Sequence, residues 1–425
     1  MNYLSILKNI SKQHTIYIVG GFIRDYLMDN KIKDIDLLVM SDLDSVVDEF
    51  SKKINKKKIV LDEVRGVYRV IPDDNICIDF SNPVGQDLHQ DLGCRDFTCN
   101  SIAVKLDELS QIDNRYYIEK DKMIDPYAGI KDIENNVLRM VKSDFIVNDP
   151  IRILRAYRFS NNLEFNIDQN TLRIINNNLK LIKSTKNERI KEELIKLLNN
   201  KLKSKTLHNF LNSKLMRYLF NINTYERSKQ KEILLKQNEY ILEKRVLRNL
   251  RMKKYLFNLL QLFLLPIIKN VVTIDEVENI FLNYTFSKKD VKIFKDHLWS
   301  CKMILKNMVL YNKQVQLIYQ DLFIKDIYPD DIKYLLLSYF ESTKRNEDIK
   351  DKVIYIVEKL KLMHKRTKPK IIDGEQIKEI LDLQESKIIG DILEIIRRKR
   401  ALGLLKGSEE VYNYLENTFN KNNKS

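Results

Sequence analysis

Cysteine and histidine are scarce in this sequence of 425 residues, and neither type is arranged as a disulfide or metal-binding motif. The four cysteines include no CxxC pair, and the five histidines include no HD dipeptide and no HExxH motif. We therefore expect Cys77, Cys94, Cys99 and Cys301 to be reduced and to pack as small apolar residues. A structural zinc site and a histidine-ligated hydrolase centre are both disfavoured.

A long apolar run is also missing. The most apolar stretch, residues 256–268, is interrupted by Asn258, Gln261 and Pro266 and is too short to cross a bilayer. The N-terminus lacks the basic, apolar and small-residue pattern of a secretory signal. These absences predict a cytoplasmic protein that is not held in a membrane.

Positive charge, in contrast, is in excess. The formal net charge is +15 and the pI is about 9.3, although 31% of the residues are charged and the two signs are interleaved. Such an excess favours an extended polyanion as a partner, and RNA or DNA is the natural candidate. A general bias toward lysine would produce the same excess without any function, so charge alone does not decide between these interpretations.

Residues 16–25 carry the first clear chemical pattern. A β-branched run over 16–19 breaks at Gly20 and Gly21 and continues into a predicted helix that carries Arg24. Paired glycines let the backbone approach a ligand, and the amides at the following helix N-terminus face an anion. A guanidinium one turn later adds a forked donor for phosphate. This stretch predicts a phosphate-binding turn.

Asp34 and Asp36 follow in a predicted strand. Because side chains alternate along a strand, the two carboxylates share a face, where a hard divalent cation such as Mg²⁺ relieves their repulsion. Asp79, in a predicted strand over 76–80, is either a third carboxylate of the same site or an ordinary residue at a strand end. The glycine turn and the paired carboxylates predict nucleotidyl or phosphoryl transfer with two metal ions, and a loop-capping aspartate pair is the alternative.

From residue 149 onward the pattern is almost wholly helical. Asp149 is expected at a helix N-cap, and it begins a row with a spacing of three that continues with Arg152, Arg155 and Arg158. An aspartate beside an arginine presents an acceptor next to a donor, which suits the Watson–Crick edge of cytosine or adenine rather than that of uracil or guanine. A solvated row of arginines is the alternative.

Five ordered motifs in residues 16 to about 200 resemble those of the class II tRNA nucleotidyltransferase and bacterial poly(A) polymerase family. They cover residues 20–25 with 34–36, then 95–100, 125–129, 148–152 and 188–194. The resemblance implies an α+β fold, with a polymerase-β-like nucleotidyltransferase palm (a mixed sheet with helices) followed by an all-helical neck, body and tail. The expected boundaries are 1–140 for the catalytic head, 141–200 for the nucleotide-recognition neck, 201–364 for the body and 365–425 for the tRNA-binding tail.

The resemblance also implies roles for single residues. Asp34 and Asp36 would be catalytic ligands of Mg²⁺, with Asp79 as the third catalytic carboxylate. The base would be read by Asp149 and Arg152, and Arg95 would help with phosphate or ribose. The residues implied to contact the nucleotide are Gly21, Arg24, Arg95, Asp149, Arg152, Arg155 and Arg158.

Three positions depart from the family motifs. Cys94 stands where an arginine is usual, Ala128 where glycine is common and Asn148 where glutamate is usual. None of the three carries a role assigned above. The C-terminal half has no HD signature, so a fused phosphohydrolase is not expected.

The sequence therefore predicts a template-independent enzyme that adds C, C and A to the 3′ end of tRNA from CTP and ATP with Mg²⁺, releasing pyrophosphate. The alternatives are an enzyme that adds only CC or only A, a poly(A) polymerase, and a non-catalytic RNA-binding protein with the same fold. The oligomeric state is left open. The terminal basic helices either contact RNA phosphates or form an ordinary solvated surface.

Overall fold

The computed structural model describes residues 3–32, 34–73, 76–112, 115–222, 228–307, 329–343, 347–367, 371–383, 386–401 and 403–419. Contacts divide the chain into two compact units, Met1–Thr185 and Lys186–Ser425. The first unit combines a mixed sheet with helices, and the described part of the second is helical. The α+β class predicted from the sequence is confirmed.

Short strands form the framework of the first unit. In chain order they are β1 Ile16–Val19, β2 Asp34–Val39, β3 Lys58–Asp62, β4 Val67–Asp73, β5 Ile76–Ser81, β6 Ala103–Lys105, β7 Ser110–Ile112, β8 Arg115–Tyr117, β9 Met123–Ile124, β10 Val137–Leu138 and β11 Asn166–Ile167. Among the described residues the main sheet has the order β3-β4-β5-β2-β1-β6-β9. Strands β2 and β5 run parallel, whereas the other neighbouring pairs described in this sheet are antiparallel.

Helices connect and cover these strands. They are α1 Tyr3–Ser11, α2 Gly21–Leu27, α3 Leu43–Ile54, α4 Leu88–Gly93, α5 Gly129–Glu134, α6 Phe145–Asn148, α7 Arg152–Leu163 and α8 Gln169–Asn178. Helix α3 is capped at both ends: the Asp42 carboxylate accepts from the Ser45 amide at 3.3 Å, and Asn55 ends the helix in a left-handed conformation.

The apolar side of β2 decides where its carboxylates lie. Ile35 and Leu37 are buried, and because side chains alternate along a strand, Asp34 and Asp36 lie together on the opposite face. Beside them, a fully buried cluster joins Val19 and Leu38 to Leu92 and Ala103. Apolar burial in this cluster holds β1, β2, α4 and β6 together and so supports the surrounding polar groups.

Helix α7 begins later than the sequence predicted. Its N-cap is Ile151 without a side-chain hydrogen bond, so the expected N-cap at Asp149 is wrong. The amides of Arg152 and Ile153 donate to the carbonyls of Asp149 and Pro150, each at 3.1 Å. Because these bonds span three residues, a tight turn precedes the helix and carries Asp149 ahead of its first turn.

The second unit is built from helices. They are α9 Asn187–Leu198, α10 Ser204–Asn212, α11 Leu215–Phe220, α12 Ser228–Glu243, α13 Lys254–Ile268, α14 Ile274–Asn283, α15 Lys288–Asn307, α16 Pro329–Thr343, α17 Glu347–Thr367, α18 Gly374–Leu381, α19 Ser386–Ala401 and α20 Ser408–Phe419. Residues 368–370, close to the expected start of the tail at 365, lie outside the described ranges.

Helix α13 contains the most apolar stretch of the sequence and lies in the core of this unit. All of its residues from Tyr255 to Ile267 are buried. Asn258 is accommodated there because its side-chain amide donates to the backbone carbonyls of Leu198 at 2.7 Å and Asn200 at 3.3 Å. Leu198 is the last residue of α9 and Asn200 lies just beyond it, where carbonyls need partners from outside the helix. Across the residues that the structure describes, every helix is too short or too polar to cross a membrane.

Candidate active site

Three aspartates lie side by side on two adjacent strands. Asp36 of β2 is directly opposite Asp79 of β5 in the parallel register, and Asp34 is opposite Cys77. Asp34 is exposed, while Asp36 is half-buried. Burial raises the pKa of Asp36, and the nearby Asp79 and Asp34 carboxylates raise it further, against the opposing effect of Arg95 and Arg24. The sequence-predicted carboxylates are therefore brought into one electrostatic group.

Arg69, which the sequence analysis did not single out, binds the third of these carboxylates. It lies on β4 opposite Asp79, and its Nε and Nη2 atoms donate to the two Asp79 oxygens at 2.7 and 2.8 Å. This bidentate geometry occupies both oxygens of Asp79. The antiparallel register of β4 and β5, which the sequence analysis did not assign, brings Arg69 to Asp79.

The carboxylates of Asp34 and Asp36 fit a hard divalent cation. They present oxygen donors from one face of a strand, and a positive ion would relieve the repulsion that adds, after burial and Asp79, to the raised pKa of Asp36. Asp79 is committed to Arg69 in this arrangement. In the ranges described, no group of three histidine, cysteine, aspartate or glutamate side chains is placed to hold a metal ion. Two carboxylates agree with Mg²⁺, which takes its remaining ligands from phosphates and water.

The turn before α2 requires glycine at Gly20. This residue has a φ of 75°, and a Cβ atom on it would lie 2.9 Å from Arg95 Nη1 and 3.2 Å from Asp36 Oδ2. Both the backbone conformation and the missing side chain therefore let Arg95 approach Asp36. Gly21, predicted to contact the nucleotide, is the first residue of α2, and a Cβ there would be in ordinary contact, 3.4 Å from Arg24 Nη2.

Arg24 and Arg95 are each held by acidic or amide side chains. Arg24 donates to both oxygens of Asp25 at 2.9 to 3.0 Å, and its Nη1 donates to Asn100 Oδ1 at 2.6 Å. Arg95 donates from Nε and Nη2 to Asp91 Oδ2 at 3.0 and 2.9 Å. Both guanidinium groups therefore have charged or amide hydrogen-bond partners close to the glycine turn.

Asp96 lies at the centre of the polar groups in this unit and is only 7% exposed. Arg155 donates to its Oδ2 from Nε at 2.8 Å and from Nη2 at 2.6 Å. The Phe97 amide and Asn100 Nδ2 donate to Oδ1 at 2.9 and 3.0 Å. Burial by itself would raise the pKa of Asp96, but Arg155 and these donors hold it below its ordinary value.

Arg152 and Asp149 are also brought together. Burial lowers the pKa of the Arg152 guanidinium, while the carboxylates of Asp96 and Asp149 act in the opposite direction. Arg152 Nη2 donates to the backbone carbonyl of Cys94 at 2.9 Å. Because this contact uses the backbone, it does not depend on which side chain stands at position 94.

Three arginines of α2 and α7 surround one aromatic ring. The guanidinium carbons of Arg24, Arg155 and Arg158 lie 5.5, 5.3 and 4.1 Å from the centroid of the Phe159 ring. Phe159 itself is 8% exposed and packs edge-on against Phe97 at 5.6 Å. Arg158, the last member of the predicted row, therefore lies beside the same ring as Arg24 and Arg155.

The motif over 125–129 forms a capped turn into α5. The Asp125 carboxylate accepts from the amides of Gly129 at 2.7 Å and Ile130 at 2.9 Å. Ala128, which departs from the family motif, has a φ of 57°, a left-handed conformation that favours glycine. At Gly129 a Cβ atom would lie 2.2 Å from the Thr98 carbonyl oxygen, so glycine is required there. The turn thus packs directly on the segment that carries Asp96 and Asn100.

Several residues of this site had no function predicted from the sequence. Asp25, Asp96 and Asn100 lie inside the family-like motifs, and Asp91 precedes Arg95 by one helical turn, a spacing typical of an ion pair. These signals were present in the sequence. Which arginine each acid binds was not, because the Arg155–Asp96 and Arg24–Asn100 contacts join residues 59 and 76 positions apart.

Two family models match this chain. Residues 16–139 match the poly A polymerase head domain, and residues 164–223 match the probable RNA and SrmB-binding site of polymerase A. The first match contains the carboxylates of β2 and β5, the glycine turn and the 91–100 segment.

Curated relatives match about half of the chain. The CC-adding tRNA nucleotidyltransferase of Synechocystis sp. is 32% identical over 185 residues, which are 43% of this chain and 41% of that protein. The CCA-adding enzyme of Staphylococcus epidermidis is 30% identical over 236 residues, 52% of this chain and 56% of that protein. The chain thus spans roughly half the length of these relatives.

Solved structures extend the likeness in fold to almost the whole chain. The Thermotoga maritima CCA-adding enzyme complexed with tRNA_CCA has a TM-score of 0.66 and covers 98% of this chain and 95% of that one, at 21% identity. At this identity the likeness establishes the fold. The head-domain match and the two tRNA nucleotidyltransferase relatives agree with the family resemblance that the sequence motifs carry.

Proposed function

We propose that this protein is a template-independent tRNA nucleotidyltransferase that adds CCA to the tRNA 3′ end from CTP and ATP, releasing pyrophosphate. The observation that carries the proposal is the convergence of the paired carboxylates, the glycine turn and the arginines of α7 around residues 91–100. Convergence of this kind is what transfer of a nucleotidyl group requires, because catalysis rests on positioning and charge stabilisation. We expect the protein in the cytoplasm.

Asp34 and Asp36 are the proposed ligands of Mg²⁺. When bound, the cation supplies activation of the tRNA 3′-hydroxyl and neutralisation of the triphosphate. The 3′ oxygen bonds to the α-phosphorus as the bond to pyrophosphate breaks, and the hydroxyl proton leaves to solvent. Asp79 would join the two ligands only after release from Arg69, which binds both of its oxygens.

The arginines are proposed to bind different parts of the nucleotide. Arg24 and Arg95, beside the Gly20–Gly21 turn, bind the triphosphate or ribose, while Asp149 and Arg152 read the base edge. Arg155 and Arg158 support this pocket from the same helix. Burial lowers the pKa of Arg152, but a guanidinium stays charged at neutral pH, so Arg152 can donate to cytosine or adenine.

The second unit is proposed to bind the tRNA. Residues 186–425 contain 48 lysines and arginines against 31 aspartates and glutamates, a net charge of +17. A helical surface with this excess suits an RNA backbone. Within the chain we keep the division into a head over 1–140, a neck over 141–200, a body over 201–364 and a tail over 365–425 as part of this proposal.

A second candidate is addition of CC alone. It is favoured by the relative from Synechocystis sp., a CC-adding tRNA nucleotidyltransferase that is 32% identical over 43% of this chain. The pocket chemistry is common to both activities, since each begins with cytidine. The number of nucleotides added, rather than the site residues, separates the two candidates.

The test uses three tRNA transcripts that end at the discriminator base, at C and at CC. Each is incubated with Mg²⁺ and with CTP, ATP, GTP or UTP singly, and then with CTP and ATP together. Growth of the first transcript by three nucleotides, ending there, is the expected result. A matched reaction with Asp36→Ala shows whether incorporation belongs to this site rather than to a contaminating enzyme.

The other outcomes contradict the proposal in distinct ways. Extension of the first transcript by only two cytidines favours the second candidate, and a single adenosine on the CC-ended transcript indicates an A-adding enzyme. Unlimited addition of adenosine indicates a poly(A) polymerase. Binding of every transcript without extension would mean that the protein is an RNA-binding module.

A further inference from the structure

A continuous set of hydrogen bonds joins α2 to α7 through two side chains of the 95–100 segment. Arg24 of α2 donates to Asn100 Oδ1 at 2.6 Å, and Asn100 Nδ2 donates to Asp96 Oδ1 at 3.0 Å. The other oxygen of Asp96 accepts from Arg155 of α7 at 2.8 and 2.6 Å. We call this set the Arg24–Arg155 link. Its two inner members, Asp96 and Asn100, are each 7% exposed.

The orientation of the Asn100 amide in this link is determined by its neighbours. A charged aspartate can only accept and an arginine can only donate. The NH₂ group must therefore face Asp96 and the carbonyl must face Arg24, since the reverse orientation would leave both partners opposed by like groups. Rotation of Asn100 away from either partner would break a buried hydrogen bond, which is costly.

The link also offsets the repulsion between the positive charges of Arg24 and Arg155. Both lie near the Phe159 ring, at 5.5 and 5.3 Å from its centroid, so two positive charges share one small region. The Asp96 carboxylate and the Asn100 carbonyl place negative charge and a dipole along the path between them. A displacement of Arg155 with α7 is therefore transmitted through Asp96 and Asn100 to Arg24.

We propose that Asn100 is a positioning residue that couples base recognition on α7 to the orientation of Arg24 at the triphosphate. The inference rests on the proposed function, in which Asp149 and Arg152 read the base just before and at the start of α7. A matching base fixes α7, and the link then holds Arg24 in its productive position. A mismatched base does not fix α7, so the link does not hold Arg24 in its productive position.

The test measures kcat/KM for CTP and for UTP on the transcript that ends at the discriminator base. Asn100→Ala is expected to lower the CTP value about tenfold or more, because small errors in position are expensive in transfer reactions. The UTP value should fall less than about threefold, so the selectivity ratio decreases. A merely structural role for Asn100 would lower both values equally and leave the ratio unchanged.

Asn100→Asp provides a second variant of nearly identical shape. It keeps an acceptor for Arg24 but replaces the donor to Asp96 with a carboxylate, so it breaks the link at one place only. We expect the same loss of selectivity, and this variant carries the test if Asn100→Ala does not fold. Asn135→Ala is the matched control, because Asn135 is exposed and its amide contacts only the Lys131 carbonyl of its own helix among its described hydrogen bonds.

The outcomes separate this inference from the proposed function. Suppose that the wild-type protein incorporates nucleotides and a folded Asn100 variant keeps the wild-type ratio of kcat/KM for CTP to kcat/KM for UTP. This result would overturn the coupling but not the proposed function. A wild-type protein that incorporates no nucleotide would overturn the function and, with it, the coupling. A decreased ratio in both Asn100 variants, with Asn135→Ala matching the wild type, is the result that supports the link.

Discussion

The two units of this chain use charge in opposite ways. Residues 1–185 contain 26 lysines and arginines against 28 aspartates and glutamates, a net charge of −2, whereas residues 186–425 have a net charge of +17. In the first unit the functional arginines are bound to acids, as Arg95 is to Asp91 and Arg155 is to Asp96. Balanced, hydrogen-bonded charges suit a site that must hold its geometry, and an unbalanced surface suits a long polyanion.

Both units bury acidic side chains, but in different settings. In the first, Asp96 lies close to the candidate site and accepts from several donors. In the second, Asp331 accepts from the backbone amides of Arg251 and Met252, and the nearly continuous apolar helix α13 is buried, with Asn258 donating to backbone carbonyls. We infer that chemistry resides in the first unit and that the second contributes mainly a stable helical support and positive charge.

The largest expected effect would separate chemistry from binding. Asp36→Ala should lower nucleotide incorporation by more than about a thousandfold, because it removes a proposed Mg²⁺ ligand. Binding of tRNA, measured by gel shift, should change little, since the charge of the second unit is untouched. Asp121→Asn, at an exposed position of the same unit, is the control. Equal loss of binding and incorporation would contradict the assignment of catalysis to the first unit and of tRNA binding to the second.

Acid stability should differ between the units because of His297. This histidine of α15 is fully buried, and burial lowers its pKa to about 4. As the pH falls through the ordinary value of about 6.5, the unfolded chain takes up a proton that the folded unit refuses, so the free energy of unfolding decreases by about 3 kcal/mol by pH 4. The pKa of Asp96 in the first unit is lowered, so the contribution of this carboxylate to the free energy of unfolding persists to more acidic pH.

Trp299 provides the measurement, because it is the sole tryptophan of the sequence and lies on the same helix as His297. Urea unfolding followed by its fluorescence at pH 7 and at lower pH reports the stability of the second unit. His297→Gln should flatten the decline of stability between pH 6.5 and 4, whereas His208→Gln, at an exposed histidine, should not. The same slope in both variants would show that His297 is not responsible.

Base selection should respond to changes in the first unit alone. Arg152→Ala should reduce the preference for CTP over UTP by about ten- to a hundredfold, the range expected for one paired contact to a base. Arg173→Ala, at an exposed position on α8, is the matched control. Strict selection of cytidine and adenosine by Arg152→Ala would show that the base is read elsewhere.

The smallest effect concerns the positive surface of the second unit. Arg397 and Lys406 are exposed, and the double variant Arg397→Glu, Lys406→Glu should weaken tRNA binding by about tenfold at about 0.1 M salt and lessen its salt dependence. Base selection should not change. The same charge reversal at Lys57 and Lys131 of the first unit should weaken binding less. Equal effects of the two double variants would contradict the assignment of RNA binding to the second unit.

Local sequence patterns predicted much of this molecule. The helix after the Gly20–Gly21 pair and the strands that carry Asp36 and Asp79 follow from local residue patterns, and the structure confirms them. The start of α7 was predicted wrongly, because a strong capping pair at Asp149 and Pro150 was overridden by a tight turn. Local preference is weak compared with the packing of a whole unit, so boundaries of this kind are not determined by a few residues.

By itself the sequence determined which residues share a local face. Alternation along β2 brings Asp34 and Asp36 together, and one helical turn connects Asp91 with Arg95. Only the tertiary structure decided that Asp36 lies beside Asp79, that Arg69 binds Asp79, and that Asn100 joins Arg24 to Asp96. The physical reason is distance along the chain: backbone geometry relates neighbours a few residues apart, whereas more distant partners meet only when buried apolar surfaces bring their elements together.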